Sequence, residues 1–206
     1  MTAESRNRND ESQEEPGVGI VEVSMSMSLD GFITGPDPTP EHPLGSADWI
    51  IRPGGERWMA QRTVAGAGAV VAGRTVYDHT HGWGEEPPFG LPVFVPTHRP
   101  RERRVAGRTT FHFVPDVATA VAKAKEAAKD GNVYLMGGAD TIDQALRAGL
   151  VDELELHIEP VLLGGGTRLF DRLGPGPIKL ERTDLVEGTP STHLRFRVLN
   201  SGAPGK

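Results

Sequence analysis

The chain has no cysteine among its 206 residues. That absence excludes disulfides, thiolate nucleophiles and cysteine-ligated metal centres, so any chemistry depends on other side chains. No apolar run approaches the roughly 18 residues of a membrane helix. The N-terminal stretch is acidic and lacks both the positive charge and the apolar core of a secretory signal. We therefore expect a cytoplasmic protein with no membrane partner.

Positive charge is also scarce, since 22 Lys and Arg face 28 Asp and Glu and the formal net charge is −6. Proteins that bind nucleic acid normally show a basic stripe, so we expect no nucleic-acid partner. The exception is the segment 99–108, in which Glu102 interrupts five arginines. This basic segment is either a solvated loop or an anion contact.

The two ends of the chain differ from its middle. Residues 1–17 are polar or charged without periodicity, so they bury too little apolar area to offset the entropy of ordering. We expect a disordered acidic tail there, one domain over residues 18–200, and a flexible C-terminus over residues 201–206.

Apolar periodicity within the domain alternates between strand and helix patterns. Residues 20–28 alternate apolar and polar side chains, which is typical of a half-buried strand. Four short apolar runs predict further strands, at residues 69–72, 93–95, 111–114 and 133–136. Helices are predicted between them, over residues 56–64 and beginning at Thr75, after Asp116 and after Gly138, and residues 153–158 and 194–198 alternate again. These patterns predict a three-layer α/β fold, with a mostly parallel central sheet, antiparallel C-terminal strands and helices on both faces.

The helix after Asp116 has the strongest local pattern. Asp116 stands at the N-cap, and one stripe of small and branched apolar residues runs from Val117 to Ala128. Gly131 stands where a left-handed C-terminal cap belongs, so we expect it to end this helix.

Three predicted strands end in residues suited to phosphate. Gly137 and Gly138 separate a strand from a helix, where a phosphate can approach backbone N–H groups at the positive end of the helix dipole. Arg74 follows another strand, and the run Thr97-His98-Arg99 follows a third. Each signal alone is also explained by a packing turn or a surface ion pair. Because parallel strands share one carboxyl edge, the three together favour one extended, multiply phosphorylated ligand, such as a dinucleotide.

Five motifs in this order resemble the dihydrofolate-reductase-like superfamily: residues 28–33, 72–75, 135–139, 151–154 and 160–167. Within it, residues 20–199 are most similar to the reductase domain of bacterial riboflavin biosynthesis and its stand-alone relatives. The resemblance implies an NADPH-dependent reductase that transfers hydride to a C=N or C=O group of a small heterocyclic substrate. The alternative is an NADP(H)-binding protein without turnover. Related domains are commonly dimers, so a homodimer is expected.

The resemblance also implies which residues hold the cofactor. Those expected at the pyrophosphate are Gly137, Gly138, Ala139, Asp140 and Thr141. Those expected to hold phosphates from the other side are Gly73, Arg74 and Thr75. Those expected near the adenosine ribose, where cations select a 2′-phosphate and hence NADPH over NADH, are Thr97, His98 and Arg99.

The catalytic residues are less defined. Hydride transfer leaves a nitrogen or oxygen that needs a proton, and a carboxylate or an ordered water can relay it. Asp30 is the first candidate because it opens the long loop beside the expected nicotinamide; a turn role before Gly31 is the alternative. Asp48 and Trp49, later in that loop, are expected at the substrate, with Trp49 stacking on a heterocycle or packing in the core.

A metal site is not expected. His79 and His81 have Glu85 and Glu86 nearby, but no further ligand pair follows at a convincing spacing. Glycine and proline in this segment are typical of a plain loop.

Overall fold

The computed structural model describes residues 19–39, 41–42, 44–45, 66–188 and 190–199. The helices in this part of the chain are α1 (Arg74–His79), α2 (Val117–Ala128) and α3 (Ala139–Arg147), with a 3-10 turn at His81–Trp83. The strands are β1 (Val21–Ser28), β2 (Phe32–Thr34), β3 (Ala67–Val71), β4 (Pro92–Pro96), β5 (Arg104–Ala106), β6 (Thr109–Val114), β7 (Asn132–Leu135), β8 (Glu153–Glu159), β9 (Thr167–Arg168), β10 (Lys179–Glu187) and β11 (Thr192–Leu199).

Within the described residues, nine strands form one sheet in the order β10-β11-β8-β1-β7-β3-β4-β6-β5. The central pairs β8-β1, β1-β7, β7-β3, β3-β4 and β4-β6 are parallel. The C-terminal strands β11 and β10 pair antiparallel at one edge, and β5 pairs antiparallel at the other. The predicted α/β class, with a mostly parallel sheet closed by antiparallel strands, is confirmed.

Helices cover both faces of the sheet because successive side chains of a strand point to opposite sides. Val21, Val23 and Leu135 lie fully buried in the core on one face, together with α2 and α3. The opposite core contains Tyr77 of α1, whose ring packs edge-on against Phe111 at 5.2 Å between centroids. The predicted three-layer arrangement follows. No helix in the described ranges is long and apolar enough to cross a bilayer.

Helix α2 begins as predicted and ends differently. The carboxylate of Asp116 accepts a hydrogen bond from the backbone N–H of Thr119 at 2.7 Å, which caps the first turn. The left-handed residue at its end is Lys129, with φ 55°, so the prediction of Gly131 as the cap is wrong. Gly131 instead allows two chain segments to approach, since a Cβ there would lie 3.0 Å from the backbone N of Gly68.

Part of the basic segment belongs to the sheet. Residues 104–106 form β5, so a loop interpretation of the whole segment is wrong. Arg104 donates to the carbonyl oxygens of Gly82 at 3.1 Å and Gly84 at 2.5 Å, and its guanidinium lies 5.5 Å from the ring centroid of Phe111. These contacts of Arg104 hold β5 in place. With three residues, β5 is too short for a strand-like alternation to show in the sequence. The predicted helix over residues 56–64 lies outside the described residues.

The face of the sheet shared with α1 becomes polar towards β1, β8 and β11. The hydroxyl of Ser24 lies 2.9 Å from Nε2 of His157, and Nδ1 of His157 lies 2.7 Å from Nδ1 of His193. One imidazole must donate and the other accept across that contact. His157 and Ser24 are both buried, so this network replaces apolar packing in the middle of three strands.

Candidate functional site

The carboxyl ends of β3, β4 and β7 open onto a cavity of about 870 Å³. Ten of the eleven residues predicted to hold a cofactor line this cavity; they are Gly73, Arg74, Thr75, Thr97, His98, Arg99, Gly138, Ala139, Asp140 and Thr141. The eleventh, Gly137, is buried directly beneath, against Gly73. The parallel sheet therefore brings three distant segments to one place, as the strand-end pattern predicts.

Two glycine turns meet at the floor of the cavity. The backbone N–H of Gly73 donates to the carbonyl oxygen of Gly137 at 2.5 Å. A Cβ on Gly73 would lie 2.6 Å from that oxygen and 2.6 Å from Oγ1 of Thr141. Gly137 has φ +92°, in the region that favours glycine, and the Gly137–Gly138 peptide is cis. The turns can touch because Gly73 carries no side chain at their contact.

Helix α3 points its N-terminus at the same cavity. Gly138 is its N-cap and supplies no side-chain cap, and the first N–H groups of a helix have no intrahelical acceptor. Asp140 in the first turn accepts a hydrogen bond from Nε2 of Gln144 at 2.7 Å and pairs with Arg172 at 3.3 Å. The N–H of Thr141 donates to the carbonyl oxygen of Gly138, so the N–H groups of residues 138–140 are the donors offered at this positive helix end.

Arg74 connects α1 to the strand end after β4. Its Nε donates to both carboxylate oxygens of Asp78, at 2.9 and 2.8 Å, and its Nη1 donates to Oγ1 of Thr97 at 3.2 Å. The backbone N–H of Arg99 donates to the same Oγ1 at 3.1 Å. The surface ion pair left open by the sequence is therefore present, and Nη2 has no partner among the described residues. Arg74 fixes the cavity wall and keeps donors for an anion.

Arg99 is an exposed cation at one end of the cavity, and the exposed ring of His98 lies beside it. The guanidinium of Arg99 makes no ion pair within the described residues. Asp116 lies nearby, and its pKa is lowered, chiefly by the hydrogen bond from the backbone of Thr119, with a smaller contribution from the charge of His98. An anion at this end would meet unpaired positive charge.

The opposite end of the cavity is mostly apolar and was not predicted. Met25, Ile33 and Leu44 line it, with the hydroxyls of Thr34 and Thr167 beside them. The backbone N–H of Thr167 donates to Oγ1 of Thr34 at 3.1 Å, which joins β9 to β2. The motifs at 28–33 and 160–167 were the available signal, but the pairing between them is not visible in a single sequence.

Asp30 lies outside the cavity lining and anchors the segment after β8. Its carboxylate accepts hydrogen bonds from the hydroxyl of Ser28 at 2.6 Å and from the backbone N–H groups of Leu163 and Gly164, at 3.1 and 2.8 Å. The Ser28 hydroxyl first, and these N–H groups after it, lower the pKa of Asp30 to about 2. This geometry favours the turn role over proton donation; a catalytic role stays a prediction.

The two remaining expectations concern the substrate contacts and a metal site. Asp48 and Trp49, predicted at the substrate, lie outside the described residues. Across the described ranges, no group of three or more His, Asp or Glu side chains is arranged to hold a metal ion.

The strand order and the cavity at the strand ends, together with the family and structural matches that follow, fit the dihydrofolate-reductase-like superfamily. The structure covers 98% of the dihydrofolate reductase from Enterococcus faecalis complexed with NADP(H), with 88% of this chain aligned, a TM-score of 0.61 and 16% identity. The model of the RibD C-terminal domain matches residues 20–194, and the chain belongs to that family.

Two further similarities agree with this assignment. A Shewanella sp. PV-4 protein ascribed to riboflavin biosynthesis has a TM-score of 0.69 at 21% identity, with 88% of this chain and 99% of that one covered. In sequence, the chain is 30% identical over 165 residues to the uncharacterized Bacillus subtilis protein YyaP. The alignment covers 72% of this chain and 78% of YyaP.

Proposed function

We propose that this protein is an NADPH-dependent reductase that transfers hydride to a C=N or C=O group of a small heterocyclic substrate. The single observation that supports this most is the meeting of residues 72–75, 97–99 and 137–141 around one cavity of about 870 Å³, in a member of the RibD C-terminal domain family. The fold alone supports a reductase-like protein; the cofactor and the substrate class are our proposals.

The chemistry of the lining fits a phosphorylated dinucleotide. The N–H groups at the start of α3 suit the pyrophosphate, and the two turns form one floor because Gly73 has no side chain and Gly137 adopts a positive φ. Arg74 and Thr75 hold phosphate oxygens from the α1 side. His98 and Arg99 select the 2′-phosphate, which NADH lacks.

The apolar end of the cavity suits a planar heterocycle. NADPH, when bound, supplies the hydride. Met25 and Ile33 exclude water from the reacting groups, and Thr34 and Thr167 provide hydroxyls that orient polar edges of the ring. A pteridine-like or pyrimidine-like substrate fits this combination. Asp48 and Trp49 stay predicted contacts on the substrate side.

The proposal is tested by titrating NADPH and NADH into the purified protein while following fluorescence. Micromolar NADPH binding with weaker NADH binding supports the cofactor site. A turnover screen of aldehydes, quinones, dihydropteridines and aminopyrimidines then identifies the accepted class by NADPH oxidation. Failure of both nucleotides to bind contradicts the proposed function.

A second function, NADP(H) binding without turnover, is favoured by one observation. The first candidate for proton transfer, Asp30, is held ionised with a pKa of about 2 and with its oxygens occupied. For the reductase function, we propose that Asp30 is a positioning residue that fixes residues 163–164 beside β1. The proton then reaches the product by another route. Binding of NADPH with no oxidation by any compound in the screen supports the second function.

The variant Asp30→Asn separates anchoring from proton donation. Anchoring predicts faster hydrogen exchange at the amides of Leu163 and Gly164, because an amide NH₂ replaces one acceptor oxygen, and an unchanged pH profile of turnover. In the wild type the folded pKa of about 2 lies below the ordinary 3.8. This carboxylate therefore contributes stability above that ordinary value and loses it as pH falls through the folded pKa. Loss of one limb of the pH profile in Asp30→Asn, with unchanged exchange, contradicts anchoring.

We also propose that the protein is a homodimer formed through β10. All nine residues of this edge strand are exposed, and Leu180, Leu185 and Val186 are 42%, 44% and 43% exposed. An edge strand with apolar side chains invites pairing with another chain. Light scattering is expected to give the dimer mass for the wild type and the monomer mass for Leu185→Lys. The control Leu162→Lys, at a leucine 69% exposed outside β10, should stay dimeric; a monomeric wild type contradicts the proposal.

Some expectations remain predictions from the sequence. They are the single reductase domain over residues 18–200, the disordered tail before it, the flexible C-terminus after it, and the cytoplasmic location. They agree with the proposed function but are not needed for it.

A further inference from the structure

A second cavity, of about 630 Å³, lies at the outer edge of the sheet between β4, β6 and the second half of α2. We call it the basic groove; its cations are Arg101, Arg103 and Lys123, and the rings beneath them are those of His112 and Phe94. Helix α2 contributes Val117 to the first cavity and Glu126 to the basic groove. No described residue lines both cavities, although Val114 of the basic groove is followed directly by Pro115 of the first cavity.

The basic groove has an excess of positive charge. Arg101, Arg103 and Lys123 are exposed cations on its rim, and none of them forms an ion pair within the described residues. The one carboxylate in its lining is Glu126. Three positive charges against one negative leave a net charge of about +2, since burial first, and then the charges of Arg103 and Lys123, lower the pKa of His112. That excess attracts an anion.

The floor of the basic groove is aromatic. The ring of His112 stacks on Phe94 with 5.0 Å between centroids and 18° between planes. Arg101 extends towards the opposite face of the sheet, where its guanidinium lies 5.2 Å from the ring centroid of Phe113 and that ring packs against Tyr77. An apolar floor strengthens the attraction between the rim cations and an anion, because field lines concentrate where water is displaced. Guanidinium groups also match the oxygens of a phosphate in geometry.

Four of the five arginines of the basic segment are thereby divided among three tasks. Arg99 belongs to the first cavity, and Arg104 is bound to carbonyl oxygens of residues 82 and 84. Arg101 and Arg103 have neither role. We propose that the basic groove binds a dianionic phosphate group, either free or as the monoester of a small molecule, at a site separate from the first cavity. This proposal does not rest on the proposed reductase activity.

The test follows the ring of His112 by NMR in the full chain while inorganic phosphate is added at constant ionic strength, with chloride as the reference. The His112 signal is assigned from the variant His112→Gln. Binding predicts a saturable shift and a rise in the pKa of His112, because the dianion offsets Arg103 and Lys123. The double variant Arg103→Gln, Lys123→Gln should weaken phosphate binding by about tenfold or more. The control Lys179→Gln, at the opposite edge of the sheet, should bind as the wild type does.

Four results would overturn the proposal. Chloride and phosphate giving equal shifts would mean screening alone. Equal phosphate binding by the double variant and by Lys179→Gln would place the anion elsewhere, and saturating NADPH that abolishes the shift would place it in the first cavity. Glycerol 3-phosphate distinguishes a monoester from free phosphate, and both support the site. A single-stranded oligonucleotide that binds far more tightly than either contradicts a small-anion site. Because His112 is the probe, the result is readable even if NADPH does not bind.

If the double variant does not fold, Arg103→Gln alone decides. Removing this one cation should raise the pKa of His112 and reduce the phosphate-induced shift. An unchanged shift in this variant contradicts the proposal.

Discussion

Replacing Arg74 and Arg99 together by alanine is expected to weaken NADPH binding by about 100-fold or more and to abolish the preference over NADH. Hydrogen bonds to charged groups contribute about 1.5–3 kcal/mol each, which is about one to two orders of magnitude in affinity per arginine. Both side chains line the cavity, and the guanidinium of Arg99 has no ion pair in the described part of the chain. Fluorescence titration of both nucleotides measures the change.

The single variants separate general phosphate binding from selection of the 2′-phosphate. Arg99→Ala removes an exposed cation whose side chain makes no hydrogen bond within the described residues, so it should reduce the preference for NADPH without changing stability. Arg74→Ala also removes the contacts with Asp78 and Thr97. It should therefore weaken the binding of both nucleotides and lower the urea concentration at the midpoint of unfolding. The control is the double variant Arg108→Ala, Arg182→Ala, which loses the same number of positive charges outside the cavity. An unchanged ratio of NADPH to NADH affinity in the double variant would contradict the assignment of the 2′-phosphate.

The phosphate side of the cavity could be predicted because it depends on local signals and one general rule. The apolar runs before residues 72, 97 and 137 each predict a buried strand, and parallel strands place their carboxyl ends on one edge. The rule needs no knowledge of which strands are neighbours. Ten of the predicted residues consequently line one cavity, although their binding roles remain proposals.

The parts that were missed depend on contacts between distant residues. The carboxylate of Asp30 accepts a hydrogen bond from an N–H group 133 residues later in the chain, which adds to the larger effect of the nearby Ser28 hydroxyl on its pKa. No periodicity signals it. Strand β5 has three residues, which are too few to show an alternation of apolar and polar side chains. Strand β10 is exposed on both faces, so its side chains do not alternate between apolar and polar. The basic groove likewise combines Arg103 with Lys123, which the sequence places in a loop and in a helix.

Replacing Gly73 by alanine is expected to lower the free energy of unfolding by about 1–3 kcal/mol, the usual cost of overpacking, and to abolish NADPH binding. The added Cβ would lie 2.6 Å from the carbonyl oxygen of Gly137, 2.6 Å from Oγ1 of Thr141 and 2.9 Å from the backbone N of Gly138. Two of these atoms belong to the backbone and cannot rotate away. The turns must separate, which moves the start of α3 from the cavity. Urea unfolding and NADPH titration measure the two effects.

Gly66→Ala is the matched control, because a Cβ there has 3.9 Å to its nearest neighbour, Nδ2 of Asn132, and no left-handed backbone. It should leave binding unchanged and stability within a few tenths of a kcal/mol, or raise stability slightly by restricting the unfolded chain. Adding Thr141→Ala to Gly73→Ala removes one of the three obstacles and leaves both backbone atoms, so it should restore only a minor part of the stability. If Gly73→Ala binds NADPH as the wild type does, contact between the two turns is not what forms the cofactor site, and the phosphates must lie against α1 and residues 97–99 alone.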